Sequence, residues 1–363
     1  MALYLDANAS EPLRPEAREA ALATMELVGN PSSVHADGRA ARRVLEEARA
    51  RVAARFGAAP RDVVFTSGGT EANALAIGSL ARGRRVLAGA TEHPAVLRAA
   101  AGAALLPVMA DGTLDLEALE RALAGGGPAL VCLMVANNET GVLHQVAEAA
   151  AICRHHGARL HLDGVQAAGR TPLSLEALGA DSMALSGHKM GGPKGAGALL
   201  LRPGAELLPL IAGGGQERGR RGGTEALPAI AGLGAAAAAA EPAAAFALSA
   251  LRDAIEAGLG LPVAGRGAPR LPNTTCLVLP GIAAETQVIA LDLEGVRVSA
   301  GAACSSGKVA RSPVLEAMGL GEAAGQAIRV SLPWNAPPDS AARFLAAYRT
   351  VRERLASRLE PAC

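Results

Sequence analysis

Lysine is rare in this chain, and two of its three lysines lie close together. Lys189 and Lys194 fall within SGHKMGGPKG (186–195), and the third is Lys308, although lysine and arginine together number 35. Arginine stays protonated in proteins, whereas a lysine in an apolar site loses its charge readily and forms a Schiff base with a carbonyl compound. Because Lys189 lies three residues after the predicted strand SMALS (182–186), the segment suggests an amine nucleophile at the end of a strand.

A glycine pair follows another apolar run, DVVFT (62–66), and opens the helical pattern SGGTEANALAIGSLA (67–81). A strand that leads through glycines and Thr70 into a helix leaves free N–H groups at the positive end of the helix dipole, which suits a phosphate. Neither a Walker loop nor a GxGxxG fingerprint is present. An ordinary turn before a helix therefore remains the alternative.

Asp163 follows the apolar run of RLHLDGVQAAG (159–169). A carboxylate next to a buried strand is costly unless it is paired. It either caps a helix or faces a cationic ligand atom, such as a protonated pyridine nitrogen. A phosphate cradle, a strand-end carboxylate and a strand-end lysine, in this chain order, together indicate pyridoxal 5′-phosphate (PLP).

The five cysteines form no CxxC pair, and an odd number favours a reduced chain with any special cysteine being reactive; they are Cys132, Cys153, Cys276, Cys304 and Cys363. Cys304 lies in SAGAACSSGK, a predicted loop of small residues. Cys132 lies in an apolar run, as buried cysteines do. Cys153 precedes His155 and His156, but consecutive positions on a helix diverge, so we predict no metal site.

The elements that must position these residues alternate between short apolar runs and amphipathic segments. The runs predicted as buried strands are 62–66, 84–90, 104–108, 129–136, 159–163, 182–186 and 197–202. This alternation predicts an α/β fold with a mostly parallel sheet covered by helices on both faces. Ligands bind such a sheet at the carboxyl ends of its strands.

The pattern changes after Pro242 to that of a smaller α+β unit. Its predicted elements are a helix at 243–258, a strand at 273–279, a helix at 284–295, strands at 296–300 and 327–332, and a helix at 339–359. A chain of 363 residues exceeds the usual size of one core. We therefore predict a large domain over 16–241 and a small domain formed by 1–15 with 242–363.

Charge and hydropathy exclude several function classes. The net charge of +1 gives no electrostatic case for nucleic acid or anionic membrane as a direct partner. The N-terminus lacks a signal-peptide pattern. The alanine-rich region from Ala231 is broken by Glu241 and Pro242, which suits two helices better than a membrane span. We expect a cytoplasmic protein.

Ten blocks distributed over nearly the whole chain resemble the cysteine desulfurases, which belong to the class V branch of the fold-type I PLP enzymes. The blocks are YLDANAS, GNPSSVHADG, VVFTSGGTEAN, TEHPAVL, ANNETGV, HLDGVQAAG, SGHKMGGPKG, GGGQERGRRGGTE, VSAGAACSSG and IRVSL. The resemblance implies the fold-type I architecture, with the mobile cysteine loop on the small domain.

The resemblance also implies the residues that hold PLP. The matching positions are Gly69, Thr70, His93, Asn138, Asp163, Gln166, Ser186, His188, Lys189 and Thr224. Lys189 would form the Schiff base, Asp163 would keep the pyridine nitrogen protonated, Gln166 would bind the phenolic oxygen and His93 would stack on the ring. Thr224 would reach the phosphate from the partner subunit, which implies a homodimer.

The implied reaction converts L-cysteine to L-alanine and leaves sulfur as a persulfide on Cys304. Lys189, Cys304 and His93 would be catalytic, and Asn8, Asn138 and Arg329 would hold the substrate carboxylate. The sulfur would pass to an acceptor such as an iron–sulfur scaffold protein, or to tRNA or cofactor thiolation.

Several alternatives remain open. A selenocysteine lyase would use the same residues, whereas an aminotransferase or a kynureninase-like hydrolase of class V would not need Cys304. A sulfur-relay subunit that depends on a partner, or a nucleotide-binding α/β protein, is a further possibility. The chain also departs from the family after IRVSL, where PWNAPPD with Trp334 replaces the usual glycine–arginine–aromatic–threonine, and its short C-terminus makes a scaffold partner less expected.

Overall fold

The computed structural model describes residues 2–301 and 311–359. Its strands are β1 (Leu3–Tyr4), β2 (Val63–Thr66), β3 (Arg85–Gly89), β4 (Ala104–Leu106), β5 (Ala129–Met134), β6 (Arg159–Asp163), β7 (Ser182–Ser186), β8 (Gly197–Leu201), β9 (Thr274–Val278), β10 (Val296–Arg297), β11 (Ser299–Ala300) and β12 (Ala327–Ser331). Its α-helices are α1 (Pro15–Met25), α2 (Ala36–Phe56), α3 (Gly69–Leu80), α4 (Pro94–Ala99), α5 (Leu116–Ala124), α6 (Val146–His155), α7 (Leu175–Leu178), α8 (Leu227–Ala239), α9 (Pro242–Phe246), α10 (Leu248–Leu259), α11 (Ala284–Leu293), α12 (Pro313–Ala317) and α13 (Ser340–Leu359).

The largest sheet contains all seven strands predicted in the first part of the chain. Its strand order is β2-β8-β7-β6-β5-β3-β4. The pairs from β7 to β4 are parallel, and β8 runs antiparallel to both of its neighbours. This topology confirms the predicted α/β class with a mostly parallel sheet.

Both faces of this sheet are covered, as its interior strand β5 illustrates. Every residue of β5 is buried. Val131 and Leu133 belong to the core cluster that includes side chains of α2, α5, α6 and α8. Leu130 and Cys132 belong to a second cluster that includes side chains of α3 and α4. Because successive side chains of a strand point to opposite faces, a continuous apolar run is what a strand between two helical layers requires.

The remaining strands build two small sheets. β11, β12 and β9 form an antiparallel sheet, and β1 pairs in parallel with β10. The core beneath them combines Leu3 and Leu5 with residues from 248 onward, so the first residues pack with the last third of the chain. Where the domains begin and end along the chain stays a prediction.

Two predicted elements are divided in the structure. The strand predicted at 296–300 is β10 and β11, because the chain changes partner at Val298, from β1 to β12. The helix predicted at 243–258 is α9 and α10, which meet at Ala247.

In the part of the chain that the structure describes, no single helix has the length and hydropathy to span a membrane. One bent pair, Leu227–Ala239 with Pro242–Leu259, meets the same criteria together, with an angle of 67° between its halves.

Candidate active site

A cavity of about 600 Å³ opens at the carboxyl ends of β2, β5, β6 and β7. This is the edge at which an open α/β sheet binds its ligands. Every residue predicted to bind the cofactor except Thr224 lines it: Gly69, Thr70, His93, Asn138, Asp163, Gln166, Ser186, His188 and Lys189. The fold therefore assembles residues that are up to 120 positions apart in the chain (189 − 69) around one space.

The N-terminus of α3 forms one end of the cavity. Its cap, Gly68, has no side chain, and the first helical bond is from Ala72 N to Gly68 O at 3.1 Å. The N–H groups of the first turn therefore precede the helical ladder and point toward the cavity end of the helix. A Cβ at Gly69 would lie 2.7 Å from a methyl carbon of Val165. Only glycine lets this turn approach β6 so closely.

A carboxylate ties this helix end to a distant segment. Glu71 accepts from the backbone N–H of Ser67 at 2.8 Å and from its hydroxyl at 2.6 Å. Its other oxygen accepts from Arg221 Nε at 2.8 Å. The segment that leads to Thr224 is thereby held beside the turn that begins α3.

Ser186 ends β7 and His188 follows the strand, and both residues line the cavity. Ser186 is buried at the end of the strand, and the His188 Nδ1 atom lies 3.3 Å from the Ser10 hydroxyl. Burial first, and then the nearby charges of Lys189, Lys194 and Arg170, lower the pKa of His188 to about 4. The imidazole is therefore neutral at physiological pH and can act as a hydrogen-bond donor beside the helix end.

Asp163 ends β6 in a buried hydrogen-bond network. Its Oδ2 atom accepts from the Asn73 side-chain amide at 2.8 Å, and its Oδ1 atom accepts from Val165 N at 3.0 Å. The Asn73 carbonyl oxygen lies 2.9 Å from His161 Nε2, and His161 Nδ1 lies 2.8 Å from the Ser182 hydroxyl. Burial raises the pKa of Asp163, so a cationic ligand atom at this carboxylate would stabilise its charged form.

His93 lines the cavity and also begins a helix. It is the N-cap of α4, where its Nδ1 atom accepts from Ala95 N at 3.1 Å. That bond leaves the proton of the neutral ring on Nε2, the nitrogen not used in the cap. Burial lowers the pKa of His93. The helix cap thus fixes both the position of the ring at the cavity and its tautomer.

The N-terminal segment forms the wall opposite β6 and β7. Lys189 Nζ donates to the backbone oxygens of Asn8 at 2.5 Å and Ala9 at 3.0 Å. Gln166 Nε2 donates to the same Asn8 oxygen at 3.0 Å. The Gln166 carbonyl oxygen accepts from Arg170, which pairs with buried Glu11 at 3.0 Å. The Gln166 amide is therefore oriented with its donor toward the cavity.

Arg329 and Asn8 meet at the backbone of Asn138. The Asn138 carbonyl oxygen accepts from Arg329 NH1 at 3.1 Å and from Asn8 Nδ2 at 3.1 Å. Arg329 also pairs with Asp6 at 2.6 Å, and its buried Nε has no hydrogen-bond partner among the described residues. A buried N–H without a partner costs free energy, and a substrate carboxylate would satisfy it.

Three of the predicted functional residues that the structure describes, Asn8, Thr224 and Arg329, are not among those that line this cavity. Thr224 is exposed and lines a smaller recess beside Phe65 and Arg221. Cys304 lies outside the described residues, as do Lys308 and Cys363. Cys132, Cys153 and Cys276 are buried, and burial raises the pKa of Cys276 to about 12, so none of these three is a reactive thiol.

The side chains of His155 and His156 do not diverge as predicted. His156 lies just beyond α6, at its C-cap, so its side chain no longer follows the helical spacing. Its Nε2 atom contacts the Glu120 carboxylate at 2.5 Å, and the ligand atoms of His155, His156 and Glu120 lie within 4.8 Å of one another. His156 and Glu120 contact each other directly, and Cys153 lies in the core instead.

The donor set of the cavity fits PLP. An uncapped helix N-terminus, a serine and a neutral histidine suit a dianionic phosphate, and a Cβ at Gly69 would block the approach of the turn to β6. Asp163 offers a carboxylate to a pyridinium nitrogen, while Lys189 lines the same space. The sequence did not indicate Asn73, His161, Arg170 or Glu11, whose contacts form only in the folded chain.

Comparisons with known proteins agree with this geometry. The family model described as aminotransferase class-V matches residues 3–340. A cysteine desulfurase from Cereibacter sphaeroides is 44% identical over 350 residues, covering 91% of this chain and 90% of that protein. The X-ray structure of a NifS-like protein from Rickettsia africae aligns with a TM-score of 0.90 and 34% identity, covering 97% of this chain and 100% of that one. The structure of SspA in complex with cysteine aligns with a TM-score of 0.81 and 30% identity, covering 91% and 99% of the two chains.

Proposed function

This chain belongs to the cysteine desulfurases of the class-V aminotransferase family, and on that premise we propose that it uses PLP to convert L-cysteine to L-alanine and transfers the sulfur to its own Cys304. The observation that carries the proposal is the arrangement of one cavity. Lys189, Asp163 and the N-terminus of α3 all line it, and together they match the aldehyde, the ring nitrogen and the phosphate of PLP.

PLP bound here would supply an electron sink for the pair left on the substrate α-carbon when its proton is removed. The residues of this chain hold the group in place. The first turn of α3, Ser186 and His188 would bind the phosphate, Asp163 would pair with the ring nitrogen, and Lys189 would hold the group covalently.

Lys189 is the residue suited to moving protons at the α-carbon. Its amine donates hydrogen bonds to the backbone oxygens of Asn8 and Ala9, at 2.5 and 3.0 Å. These bonds direct the side chain across the cavity. Once displaced by the substrate amine, a lysine held there can take the α-proton as a general base and later return it.

Arg329 and Asn8 are suited to orienting the substrate through its carboxylate. Arg329 is held by Asp6 and by the Asn138 carbonyl, which fixes its guanidinium, and its buried Nε has no hydrogen-bond partner among the described residues. Holding the carboxylate by two directional contacts places the α-carbon and the thiol of the substrate in one orientation.

Sulfur leaves L-cysteine through a second thiol, which the sequence supplies in Cys304. Its thiolate attacks the substrate sulfur, an S–S bond forms and the Cβ–S bond breaks. The electron pair of that bond stays with the carbon skeleton, which takes up protons and leaves as alanine. The balance is L-cysteine plus Cys304–SH giving L-alanine plus Cys304–S–SH, with no external oxidant or reductant.

We also propose that the enzyme is a homodimer. Thr224 is exposed and outside the cavity of its own chain, which is what a residue that serves the neighbouring subunit requires. The preceding segment exposes three large apolar side chains, Leu208, Leu210 and Ile211, by 49%, 60% and 44%. Exposed apolar side chains grouped in one segment indicate a surface that is covered by a partner.

A persulfide is a carrier, so a thiol-bearing acceptor must take the sulfur from Cys304. An acceptor protein such as an iron–sulfur scaffold fits this chemistry. Incubating the purified enzyme with a panel of candidate acceptors after a pulse of ³⁵S-cysteine identifies which one receives the label.

The test of the proposed function is the Cys304→Ala enzyme. We expect it to bind PLP and to exchange the α-proton of L-cysteine, but to lose nearly all alanine formation, because only the sulfur transfer requires a second thiolate. Mass spectrometry after a cysteine pulse should add one sulfur to the wild-type peptide that contains Cys304. Normal turnover of L-cysteine by Cys304→Ala would refute the mechanism, and retained turnover of selenocysteine alone would favour a selenocysteine lyase.

A further inference from the structure

One buried carboxylate contacts both ends of the segment that carries Cys304. Glu139 lies in the turn after β5 and is 5% exposed. Its Oε2 atom accepts from the Ser312 hydroxyl at 2.5 Å. A Cβ at Gly301 would lie 2.2 Å from the same oxygen. Gly301 and Ser312 lie on either side of residues 302–310. The Glu139 Oε2 atom therefore lies next to the chain at both ends of that segment.

Ser312 is held in one orientation by its own contacts. Its Oγ atom accepts from Leu315 N at 3.1 Å as the N-cap of α12, and its backbone N–H donates to the Ala324 oxygen at 3.0 Å. A serine hydroxyl has one proton to donate, and here that proton goes to Glu139. The hydrogen bond therefore joins Glu139 to a helix start whose position is already fixed.

Gly301 faces the carboxylate from the other side. Its φ lies outside the left-handed region, so its backbone conformation is open to other residues. Apart from Glu139, the nearest atom of a described residue to an added Cβ is Ser312 Cβ at 3.6 Å, which is an ordinary contact. An alanine at position 301 would therefore have to displace the Glu139 carboxylate.

The turn that holds Glu139 also holds the substrate-binding candidates. Asn137 Oδ1 accepts from Glu139 N at 2.9 Å and fixes the turn. The carbonyl of the intervening Asn138 binds Arg329 and Asn8, each at 3.1 Å. Three consecutive residues thus connect the groups that would bind the substrate carboxylate with both ends of segment 302–310.

We propose that Glu139 is a positioning residue for sulfur transfer, which fixes both ends of segment 302–310 relative to the bound substrate so that Cys304 meets the substrate sulfur. The inference rests on the proposed function. Glu139 is not among the residues that line the cavity. Its effect comes from the attachment points, because the positions that a short segment can reach depend on where its ends are held, and the rate of an in-line attack depends strongly on that placement.

Two half-reactions of the PLP-loaded enzyme separate this role from a general loss of structure. Exchange of the α-proton of L-alanine in D₂O needs Lys189 but not Cys304. Addition of sulfur to Cys304 in a single turnover, followed by mass spectrometry, needs both. For Glu139→Ala we expect sulfur transfer to fall about 10- to 100-fold, with α-proton exchange changed by no more than about twofold because the lysine side of the cavity is untouched.

Matched variants test the contact itself. Glu139→Gln keeps an oxygen that accepts from Ser312, so its sulfur transfer should stay near wild type. Gly301→Ala alone should slow sulfur transfer, because its methyl group collides with the carboxylate. In the Glu139→Ala background the same methyl group has room, so the double variant should transfer sulfur no more slowly than Glu139→Ala alone.

The measurements distinguish failure of the positioning role of Glu139 from failure of the proposed function. If the wild-type enzyme adds no sulfur to Cys304, the desulfurase function is wrong. If the wild type transfers sulfur and Glu139→Ala transfers it equally fast, or loses both half-reactions in parallel, the positioning role is wrong. Should Glu139→Ala fail to fold, Ser312→Ala removes the same hydrogen bond from the other side and must reproduce the selective loss.

Discussion

Asn73 and Asp163, ninety residues apart in the chain, share a buried hydrogen bond of 2.8 Å at the cavity. The Asn73 amide donates to the carboxylate, and its carbonyl oxygen lies 2.9 Å from His161 Nε2. These contacts leave the amide with one orientation. Asn73 therefore keeps a donor on Asp163 and helps to hold the carboxylate toward the cavity.

Replacing Asn73 with alanine should weaken PLP binding. Asp163 would lose a buried donor and His161 a buried partner, each costing about 1–3 kcal/mol, so we expect the dissociation constant to rise about 10- to 100-fold. Absorbance titration of the cofactor-free protein measures it. Ser182→Ala, two contacts farther from Asp163 than Asn73 is, should have a smaller effect. Equal affinity in Asn73→Ala and wild type would contradict the assigned role.

Borohydride reduction of the PLP-loaded protein should attach the cofactor to the peptide that contains Lys189. Lys189 lines the cavity and reaches across it to the N-terminal segment. Lys194 also lines the cavity, so Lys194→Ala is the matched control and should still be labelled at Lys189. Peptide mass spectrometry reports the site, and a label on Lys194 or Lys308 would overturn the assignment.

A mixed dimer tests whether Thr224 acts across subunits. Lys189→Ala and Thr224→Ala subunits should each form weakly active or inactive homodimers. In the heterodimer, the subunit that keeps Lys189 receives an intact Thr224 from its partner, so one complete site forms and about half of the wild-type activity returns, provided that the sites are independent. Purification with two different affinity tags isolates the heterodimer. Activity that remains at the level of the homodimers would show that Thr224 serves its own chain.

His144 should make the protein less stable in acid. It is buried, neither ring nitrogen has a hydrogen-bond partner among the described residues, and burial lowers its pKa from 6.5 to about 4. Between those values the unfolded chain binds a proton that the folded protein does not, so the free energy of unfolding falls as the pH falls.

The contribution of His144 approaches about 1.4 kcal/mol per pH unit. His144→Leu should remove it, so the wild type should lose more stability than the variant between about pH 6 and pH 4.5 in urea unfolding. His35, whose side chain is 62% exposed, serves as the control position. Parallel pH profiles for wild type and His144→Leu would refute this prediction.

The residues at strand ends could be predicted from the sequence. An apolar run marks a buried strand, and the polar residues that end or follow the run must lie at the edge of the sheet. Asp163 and Lys189 were found in this way. Asn73 was not, since it lies within the helical pattern of α3 and its partners, Asp163 and His161, are brought to it only by the sheet. Glu139 likewise gave no signal, because its contacts, Gly301 and Ser312, are more than 160 residues away in the sequence.

The predicted element boundaries were wrong where tertiary contacts determine them. The apolar run at 296–300 is continuous in sequence, but the chain pairs first with β1 and then with β12. No feature of the local sequence indicates that the chain changes its pairing strand there. The divergence assumed for His155 and His156 failed for a related reason, because the helix ends between them.

The ion pair between Asp6 and Arg329 affects when the cavity can form during protein synthesis. The two residues are 323 positions apart, so the first residues to leave the ribosome find their partner only when almost the whole chain has been made. Asn8, whose backbone oxygen accepts hydrogen bonds from Lys189 and Gln166, belongs to the same N-terminal segment. The cavity wall is therefore completed after translation has nearly ended, and a nascent or truncated chain that lacks β12 should not retain the cofactor tightly.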